Sequence, residues 1–304
     1  MDARREVVLK EEIRRIQEVM ESESYVTDRS IATAVFLAST LGKPLLVEGH
    51  PGVGKTDIAK VLARVRDTDL IRLQCYEGLD ATTALYEWNY PRQLLHIKLH
   101  EAHGDDPNAT EASLFSDRFL LKRPLLAAIA HKGKPPVLLI DEVDRSDEEF
   151  EAFLLEILSD FQVTIPELGT IRAEVKPLVV LTSNRSRELS EALRRRCLYL
   201  WIDYPTLEKE LRIVRTKVPE ANEQLAREIS AFMQTLRRIS LVKSPGLSET
   251  LDWAMALVAL HADHLDQELV RETLGCVLKD EADLRRVGEQ LDQGKLSEMI
   301  GLVA

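Results

Sequence analysis

The sequence is poor in aromatic residues and in cysteine. Aromatic side chains make up 5% of the 304 residues, and Cys75, Cys197 and Cys276 are scattered without any C-x-x-C pair. An odd, scattered set of thiols indicates neither a disulfide framework nor a thiolate zinc site. The histidines also show no metal-ligand spacing. We therefore expect reduced, structural thiols, as is usual in a cytoplasmic protein.

Long apolar runs and an excess of positive charge are also missing. No apolar stretch approaches the ~20 residues that cross a bilayer, and the charged N-terminus, residues 1–6, lacks the apolar region of a signal peptide. The formal net charge is −11. An acidic chain does not attract nucleic acid or anionic membranes through its overall field, although a local basic patch still could. We expect a cytoplasmic protein that binds neither.

The strongest positive signal is a glycine-rich stretch, residues 49–56, that fits G-x-x-x-x-G-K-[ST]. An apolar strand-like run precedes it and a helix-like run follows, which is the context that a phosphate-binding loop requires. Backbone N–H groups and the helix dipole would hold phosphate, Lys55 would reach the β- and γ-phosphates, and Thr56 would bind Mg²⁺. A chance glycine-rich turn is the alternative. The predicted nucleotide-binding residues are Gly49, His50, Pro51, Gly52, Val53, Gly54, Lys55, Thr56, Asp57 and Asp141.

A second motif is an apolar run, residues 136–140, that ends in Asp141 and Glu142. Asp141 would hold Mg²⁺, directly or through water, beside Thr56. Glu142 would orient and polarise the attacking water, because phosphoryl transfer needs an in-line nucleophile. The alternative is an acidic pair that caps the next helix, but the phosphate loop upstream favours the catalytic interpretation.

Two further candidates follow along the chain. The apolar run 178–182 ends at Ser183-Asn184, where the Asn184 amide could hold the lytic water or simply form a turn. Residues 194–196 are three arginines at the end of a short predicted helix. They could form a solvated face, a nucleic-acid patch, or an arginine finger that reaches a neighbouring subunit's nucleotide. We predict a finger, with Arg196 as the first candidate and Arg195 as the second.

Strand and helix signals alternate as far as Tyr204-Pro205 and then become purely helical. Apolar strands that alternate with helices predict a parallel sheet covered on both faces. We therefore predict an α/β nucleotide-binding core, residues 1–205, and a helical domain, residues 206–304. The predicted strands are 45–48, 70–75, 137–140, 178–182 and 197–202, with an inserted β-hairpin at 162–173. The predicted helices after the boundary are 207–217, 221–239, 248–265, 268–278 and 281–291.

Two local features complete the interpretation. Ser146 to Glu149 fits a capping box, with Ser146 as N-cap of a helix that runs toward Leu158. Residues 103–108 are polar and rich in turn formers, which predicts a surface loop.

Together these motifs resemble the AAA+ ATPases. Their order matches the Walker A loop at Lys55, Walker B at Asp141-Glu142, sensor 1 at Asn184 and the arginine finger at Arg196. More narrowly, residues 137–145 (Val-Leu-Leu-Ile-Asp-Glu-Val-Asp-Arg) are similar to the Walker B form of the MoxR family. Residues 73–80 and 85–88 resemble the MoxR subgroup that includes the ATPase maturing carbon monoxide dehydrogenase. The resemblance covers nearly the whole chain.

The resemblance implies an AAA+ core with a five-stranded parallel sheet and an inserted hairpin, followed by an all-α lid. It also implies a ring, a hexamer, that binds ATP and Mg²⁺ and hydrolyses ATP to ADP and phosphate. A chaperone or remodelling role follows, which could extend to metal-cofactor insertion into a client enzyme with a von Willebrand A-domain partner. One departure concerns the sensor 2 arginine that the family often carries after a Ser-Pro. Here Ser244-Pro245 is followed by residues 246–250 without arginine, so that Lys243 could substitute or the role could be absent.

Two other functions remain open from the residues alone. A DNA motor or clamp-loader-like ATPase would line a pore with the hairpin, which carries Glu167, Arg172 and Glu174 and no basic stripe. A scaffold that binds nucleotide without hydrolysis is opposed by the set of Lys55, Asp141, Glu142 and Asn184.

Overall fold

The computed structural model describes residues 3–103 and 114–300, and the chain forms two compact units. The first unit contains Ser30–Glu48 and Ala59–Leu200, with the start of the first helix. The second contains Arg14–Arg29, Gly49–Ile58 and the chain from Trp201 onward. Within the described residues, no helix is long and apolar enough to span a bilayer. The predicted surface loop at 103–108 lies outside the described residues, except for His103, which ends a helix.

The largest sheet of the described residues has five strands. Its strands are β1 (Leu45–Gly49), β2 (Leu70–Gln74), β5 (Val137–Asp141), β8 (Leu178–Ser183) and β9 (Leu198–Ile202), in the order β2-β5-β8-β1-β9. The registered pairs β2–β5, β5–β8 and β8–β1 run parallel. This sheet confirms the predicted α/β fold, and the strand bounds differ from the predicted ones by one residue.

Burial separates the central strands from the edge strand β2. Every residue of β1, β5 and β8 is buried, as expected for strands covered by helices on both faces. In β2 the pattern alternates, so that Leu73 is buried while Arg72 and Gln74 are exposed. Because successive side chains of a strand point to opposite faces, Arg72 and Gln74 share one face of β2.

The first unit also contains two antiparallel pairs. The strands β6 (Gln162–Ile165) and β7 (Gly169–Arg172) form the predicted inserted hairpin, which is thereby confirmed. The strands β3 (Tyr86–Trp88) and β4 (Leu120–Lys122) form a second pair that the sequence did not predict. Two three-residue strands that lie far apart in the chain carry no local hairpin signal.

The helices that precede β9 are α1 (Ala3–Ser22), α2 (Arg29–Leu41), α3 (Lys55–Val65), α4 (Ala81–Leu85), α5 (Tyr90–His103), α6 (Pro124–Ile129), α7 (Glu148–Asp160) and α8 (Glu191–Arg196). The chain after β9 is helical, with α9 (Leu207–Lys217), α10 (Glu223–Arg238), α11 (Leu247–Ala259), α12 (Gln267–Val277), α13 (Glu281–Asp292) and α14 (Leu296–Met299). The predicted helix 248–265 ends early, because His261 adopts a left-handed φ of 57° and Asp266 already caps α12.

The N-cap of α7 differs from the prediction. Asp147 is the cap, and its carboxylate accepts a hydrogen bond from the Phe150 N–H at 2.8 Å. The Ser146 hydroxyl instead donates to the Val143 carbonyl at 2.8 Å, which closes a 3₁₀ turn at Val143–Arg145. The predicted capping box at Ser146 is therefore wrong by one residue, since the preceding turn already uses the serine.

Candidate active site

The phosphate loop depends on its glycines for two different reasons. Gly52 and Gly54 have φ values of +72° and +87°, in the left-handed region that favours glycine. Gly49 has ordinary backbone angles, but a Cβ there would lie 2.1 Å from the Ile202 carbonyl oxygen. The loop curls around Lys55, which is 6% exposed and donates from Nζ to the carbonyl oxygens of Gly49 and His50 at 2.9 and 2.7 Å. The geometry is that of a cradle with a cation at its centre.

The other predicted loop residues differ in their surroundings. The His50 ring stacks on Tyr204 with the ring centroids 4.3 Å apart, and Nε2 lies 3.6 Å from the Asp203 carboxylate. Pro51 is exposed and Val53 is buried. Thr56 and Asp57 stand half-buried in the first turn of α3. Burial chiefly, and then the Asp57 carboxylate, raise the pKa of Tyr25.

A turn at residues 244–246 packs against the phosphate loop within the second unit. The Ser248 N–H donates to the Gly52 carbonyl at 3.0 Å. A Cβ on Gly246 would lie 2.6 Å from the Pro51 carbonyl oxygen and 3.1 Å from the Gly52 α-carbon. No larger side chain fits at position 246 in this arrangement, which gives a physical reason for the absence of an arginine directly after Ser244-Pro245.

A cavity of about 510 Å³ opens between this turn and the phosphate loop. Two lysines and one glutamate are among its lining residues. Its lining residues are His50, Pro51, Tyr204, Val242, Lys243, Ser244, Pro245, Gly246, Glu249, Val277 and Lys279. A concave site with convergent polar groups next to a phosphate loop has the character of a ligand pocket.

In the first unit, Asp141 ends β5 with a carboxylate that is 4% exposed. Its Oδ1 accepts a hydrogen bond from the Thr182 hydroxyl at 2.6 Å, and its Oδ2 lies 2.6 Å from Nη2 of Arg72. The Thr182 oxygen also accepts from the Glu142 N–H at 2.9 Å. Sequence analysis missed Thr182 and Arg72, because their roles arise from strand pairing. The only local signal is a polar residue within each apolar strand.

Glu142 has a left-handed backbone, with φ 54° and ψ 50°. Such a conformation is uncommon for a residue other than glycine and is often found at functional sites. The carboxylate lies 3.2 Å from the Gln74 amide nitrogen, 3.2 Å from Arg145 Nε, and 3.5 Å from the Asn184 amide nitrogen. The structure therefore brings together Asp141, Glu142 and Asn184, as the sequence predicted, and adds Gln74.

Two buried acids support this cluster. Asp144 accepts hydrogen bonds from the backbone N–H groups of Asn184 and Ser186, at 3.2 and 2.8 Å, and so holds the segment that carries Asn184. Glu48, the last residue before the phosphate loop, is 2% exposed and accepts from the Tyr199 hydroxyl at 3.0 Å and from the hydroxyl of Ser183, next to Asn184, at 3.4 Å. A glutamate inside an apolar strand is a signal that sequence analysis could have used, since a buried charge needs partners.

The three arginines of α8 are exposed and each has a partner within the first unit. The Arg196 guanidinium donates to the Ser159 hydroxyl. Arg195 pairs with Glu191 one turn earlier at 2.5 Å, and the Arg194 guanidinium lies 5.8 Å from the Tyr199 ring centre. These contacts place the arginines at the surface, and the finger assignment to Arg196 or Arg195 stays a prediction.

Cys75 and Cys197 have the character of structural thiols. Burial chiefly, with the nearby carboxylates of Asp141, Asp144 and Glu142, raises the pKa of Cys75 to about 12. Burial raises the pKa of Cys197 to about 12 as well. A thiol with so high a pKa is protonated at neutral pH and is a poor nucleophile and metal ligand. Nowhere in the described residues do three or more His, Cys, Asp or Glu side chains form a metal-binding group.

Comparison with known proteins identifies the family. The model of the ATPase family associated with various cellular activities (AAA) matches residues 45–201, slightly more than half of the chain. The match begins at β1 and ends within β9, so it includes the phosphate loop, Asp141, Glu142, Asn184 and the three arginines of α8. A comparison with curated proteins gave no match.

Solved structures share the fold. A point mutant of RuvB from Thermotoga maritima is 18% identical over 90% of this chain and 81% of its own, with a TM-score of 0.50. A protein from Cytophaga hutchinsonii, provisionally assigned as an ATPase, is 16% identical over 94% of this chain and 95% of its own, also with a TM-score of 0.50. At these identities the likeness shows the fold alone. The family match shows more: this chain belongs to the ATPase family associated with various cellular activities (AAA), which implies that it binds a nucleotide.

Proposed function

We propose that this protein hydrolyses ATP to ADP and phosphate, with the phosphate loop binding the nucleotide and the Asp141–Glu142 cluster supplying the hydrolytic groups. The observation that carries the proposal is the geometry around Glu142. Its carboxylate follows a buried acid, stands on a left-handed backbone, and lies near the amide nitrogens of Gln74 and Asn184. A carboxylate held between amide donors can accept a proton from water while the amides fix its direction.

The roles follow from the chemistry of each group. Lys55 and the loop N–H groups bind the phosphates, and the Asn184 amide positions the attacking water near Glu142. Asp141 and Thr56 offer the oxygen ligands that Mg²⁺ prefers. The contact of the buried Asp141 carboxylate with Arg72 shows that a positive group fits beside it. Mg²⁺, when bound, would neutralise charge on the phosphates.

The cavity beside the phosphate loop supports nucleotide binding from the second unit. Its lysines, Lys243 and Lys279, line the same cavity as His50 and Pro51. We propose that Lys243 takes part in nucleotide binding in place of the arginine for which position 246 has no room.

Glu142→Gln is the variant that tests hydrolysis. We expect it to bind ATP with wild-type affinity and to release phosphate at least ~10²-fold more slowly, the lower range for loss of a general base. The matched control is Glu149→Gln, since Glu149 is exposed on the first turn of α7. Calorimetric titration of ATP and a phosphate-release assay measure the two quantities.

The contrary results are distinct. Phosphate release from Glu142→Gln at the rate of Glu149→Gln would make Glu142 a structural residue at the end of β5. Absence of ATP binding by the wild-type chain would contradict the nucleotide site itself.

We further propose that copies of the chain assemble into a ring, a hexamer, that remodels a protein client. The support is the motif order, together with the MoxR resemblance, which adds metal-cofactor insertion and a von Willebrand A-domain partner by analogy. The acidic charge of this chain and its non-basic hairpin favour a protein client over DNA. Affinity capture with the ATP-loaded Glu142→Gln variant as bait identifies the partner. The Lys55→Ala variant serves as the control bait. DNA binding at ~150 mM salt would favour a motor instead.

A further inference from the structure

Arg72 is a charged residue that the proposed hydrolysis does not use. It lies on the edge strand β2, opposite Leu139 of β5, with Gln74 next to it on the same face and opposite Asp141. Its Nη2 lies 2.6 Å from Asp141 Oδ2 and 2.5 Å from Gln74 Oε1. The guanidinium is half exposed, whereas the carboxylate that it contacts is 4% exposed.

The contact with Arg72 affects what Asp141 can bind. Oδ1 accepts the Thr182 hydroxyl, and Oδ2 is the oxygen that Arg72 contacts. A guanidinium and a divalent cation on one carboxylate oxygen repel each other, and the repulsion is strong where water is excluded. The contact of Arg72 with Oδ2 therefore disfavours a divalent cation on Asp141 unless the guanidinium withdraws, at least in part.

The surroundings of Arg72 allow that withdrawal. The half-exposed guanidinium can turn toward water, and the side-chain oxygen Oε1 of Gln74 already accepts a hydrogen bond from it. Arg72 can thus leave Asp141 without losing all its hydrogen bonds. In contrast, the buried Asp141 carboxylate would lose the positive charge that Arg72 supplies if Arg72 left before a metal ion arrived, which is costly for a buried acid.

We propose that Arg72 is a stand-in cation, which neutralises Asp141 in the metal-free site and competes with Mg²⁺ for Oδ2. The proposal rests on the proposed function, because it takes Asp141 as a ligand of Mg²⁺. Its consequence is that Arg72 sets the concentration of divalent cation at which the nucleotide site fills. Arg72 in this sense acts on the metal site only through Asp141.

The test is a titration of Mn²⁺, followed by electron paramagnetic resonance, into the protein with bound ADP. We expect Arg72→Gln to lower the half-saturating Mn²⁺ concentration by about two- to fivefold, the effect of losing a half-exposed ion pair. Arg72→Lys keeps the charge and should stay close to the wild-type value. The control is Lys134→Gln, which removes an exposed 2.6 Å ion pair with Asp67 elsewhere in the first unit.

Thermal unfolding gives a second readout that does not depend on activity. Without metal or nucleotide, Arg72→Gln should melt below the wild type, because the buried Asp141 carboxylate loses its ion pair with Arg72. With saturating Mg²⁺ and ADP that difference should shrink, since the metal ion replaces the arginine. For Lys134→Gln the difference from the wild type should be the same in both conditions.

The two outcomes that overturn the proposal are separable. Arg72→Gln could bind ADP normally and have a half-saturating Mn²⁺ concentration equal to or above that of the wild type. Arg72 would then only hold Asp141 in place, which overturns this inference alone. Failure of the wild-type protein to bind ADP would overturn the nucleotide site and this inference together.

Discussion

At the scale of single residues, Gly49 shows how a motif position can have a second role. The phosphate-loop pattern requires glycine for a backbone that approaches phosphate. The structure adds a contact with the β9 carbonyl of Ile202, which leaves no room for a Cβ. Gly49 is therefore needed for the folded chain as well as for the ligand.

Gly49→Ala should lower the melting temperature strongly, because its Cβ would overlap a backbone oxygen that cannot move aside. Overpacking of this kind typically costs about 1–3 kcal/mol of folding free energy. The control is Gly275→Ala in α12, where an added Cβ meets no described atom within 4 Å and a helix gains up to ~1 kcal/mol from the exchange. Circular dichroism on heating measures both variants. A melting temperature of Gly49→Ala equal to that of the wild type would show that the Ile202 carbonyl can move away from residue 49 at little cost.

At the scale of elements, a buried ion pair joins three helices of the second unit to the turn at residues 244–246. Arg237 of α10 is 7% exposed and pairs with the fully buried Glu210 of α9 at 2.7 Å. Its Nε also donates to the Pro245 carbonyl at 2.9 Å. Thr250 of α11 donates to the same glutamate at 2.7 Å. The pair thus fixes the turn that contacts the phosphate loop.

Arg237→Met should destabilise the protein by roughly 3–5 kcal/mol, because it leaves Glu210 buried without a counter-charge. The matched control is Arg227→Met on the same helix, whose pair with Glu223 is exposed and contributes ~1 kcal/mol or less. Melting temperatures give the comparison. Adding Glu210→Leu to Arg237→Met should recover part of the loss, since the unpaired charge is then gone. A double variant no more stable than Arg237→Met would contradict this explanation.

At the scale of the whole molecule, the open question is whether one chain completes another chain's site. The arginines of α8 are exposed, and Arg196 contacts a serine hydroxyl as its hydrogen-bond partner among the described residues. An exposed cation at the end of a helix can reach a neighbouring subunit's phosphates at little cost. If the proposed ring forms, Arg196 of one subunit should therefore affect ATP hydrolysis in its neighbour, which cannot happen in a monomer.

Arg196→Ala should bind ATP normally and lose about 10³-fold in turnover, as expected when an arginine finger is removed. Mixed with Lys55→Ala, it should regain activity, because some interfaces then join an intact Lys55 to an intact Arg196. The control is Arg285→Ala, which removes an exposed arginine paired one turn earlier with Glu281. Phosphate release is measured on mixtures shown by native mass spectrometry to contain both subunits. If mixed rings form without any gain, Arg196 acts within its own subunit or only in folding.

The sequence by itself determined the order of the motifs and the central sheet. Alternating apolar strands and helices fix a parallel sheet because each element must bury its apolar face. Asp141 and Asn184 could be recognised because each is a polar residue at the carboxyl end of a buried strand, Asp141 as the last residue of β5 and Asn184 directly after β8. The inserted hairpin was equally predictable from two short strands around Leu168-Gly169.

Only the tertiary structure decided which residues act on these motifs. Arg72 and Thr182 reach Asp141 through strand pairing, and the two strands lie far from β5 in the chain. In the sequence, Gly246 stands near the place where the family often carries an arginine. The fold explains the glycine, because a Cβ at position 246 would lie 2.6 Å from the Pro51 carbonyl oxygen. Local patterns predict the elements because propensity and periodicity are short-range. Contacts between distant side chains depend on register and packing, which only the folded chain sets.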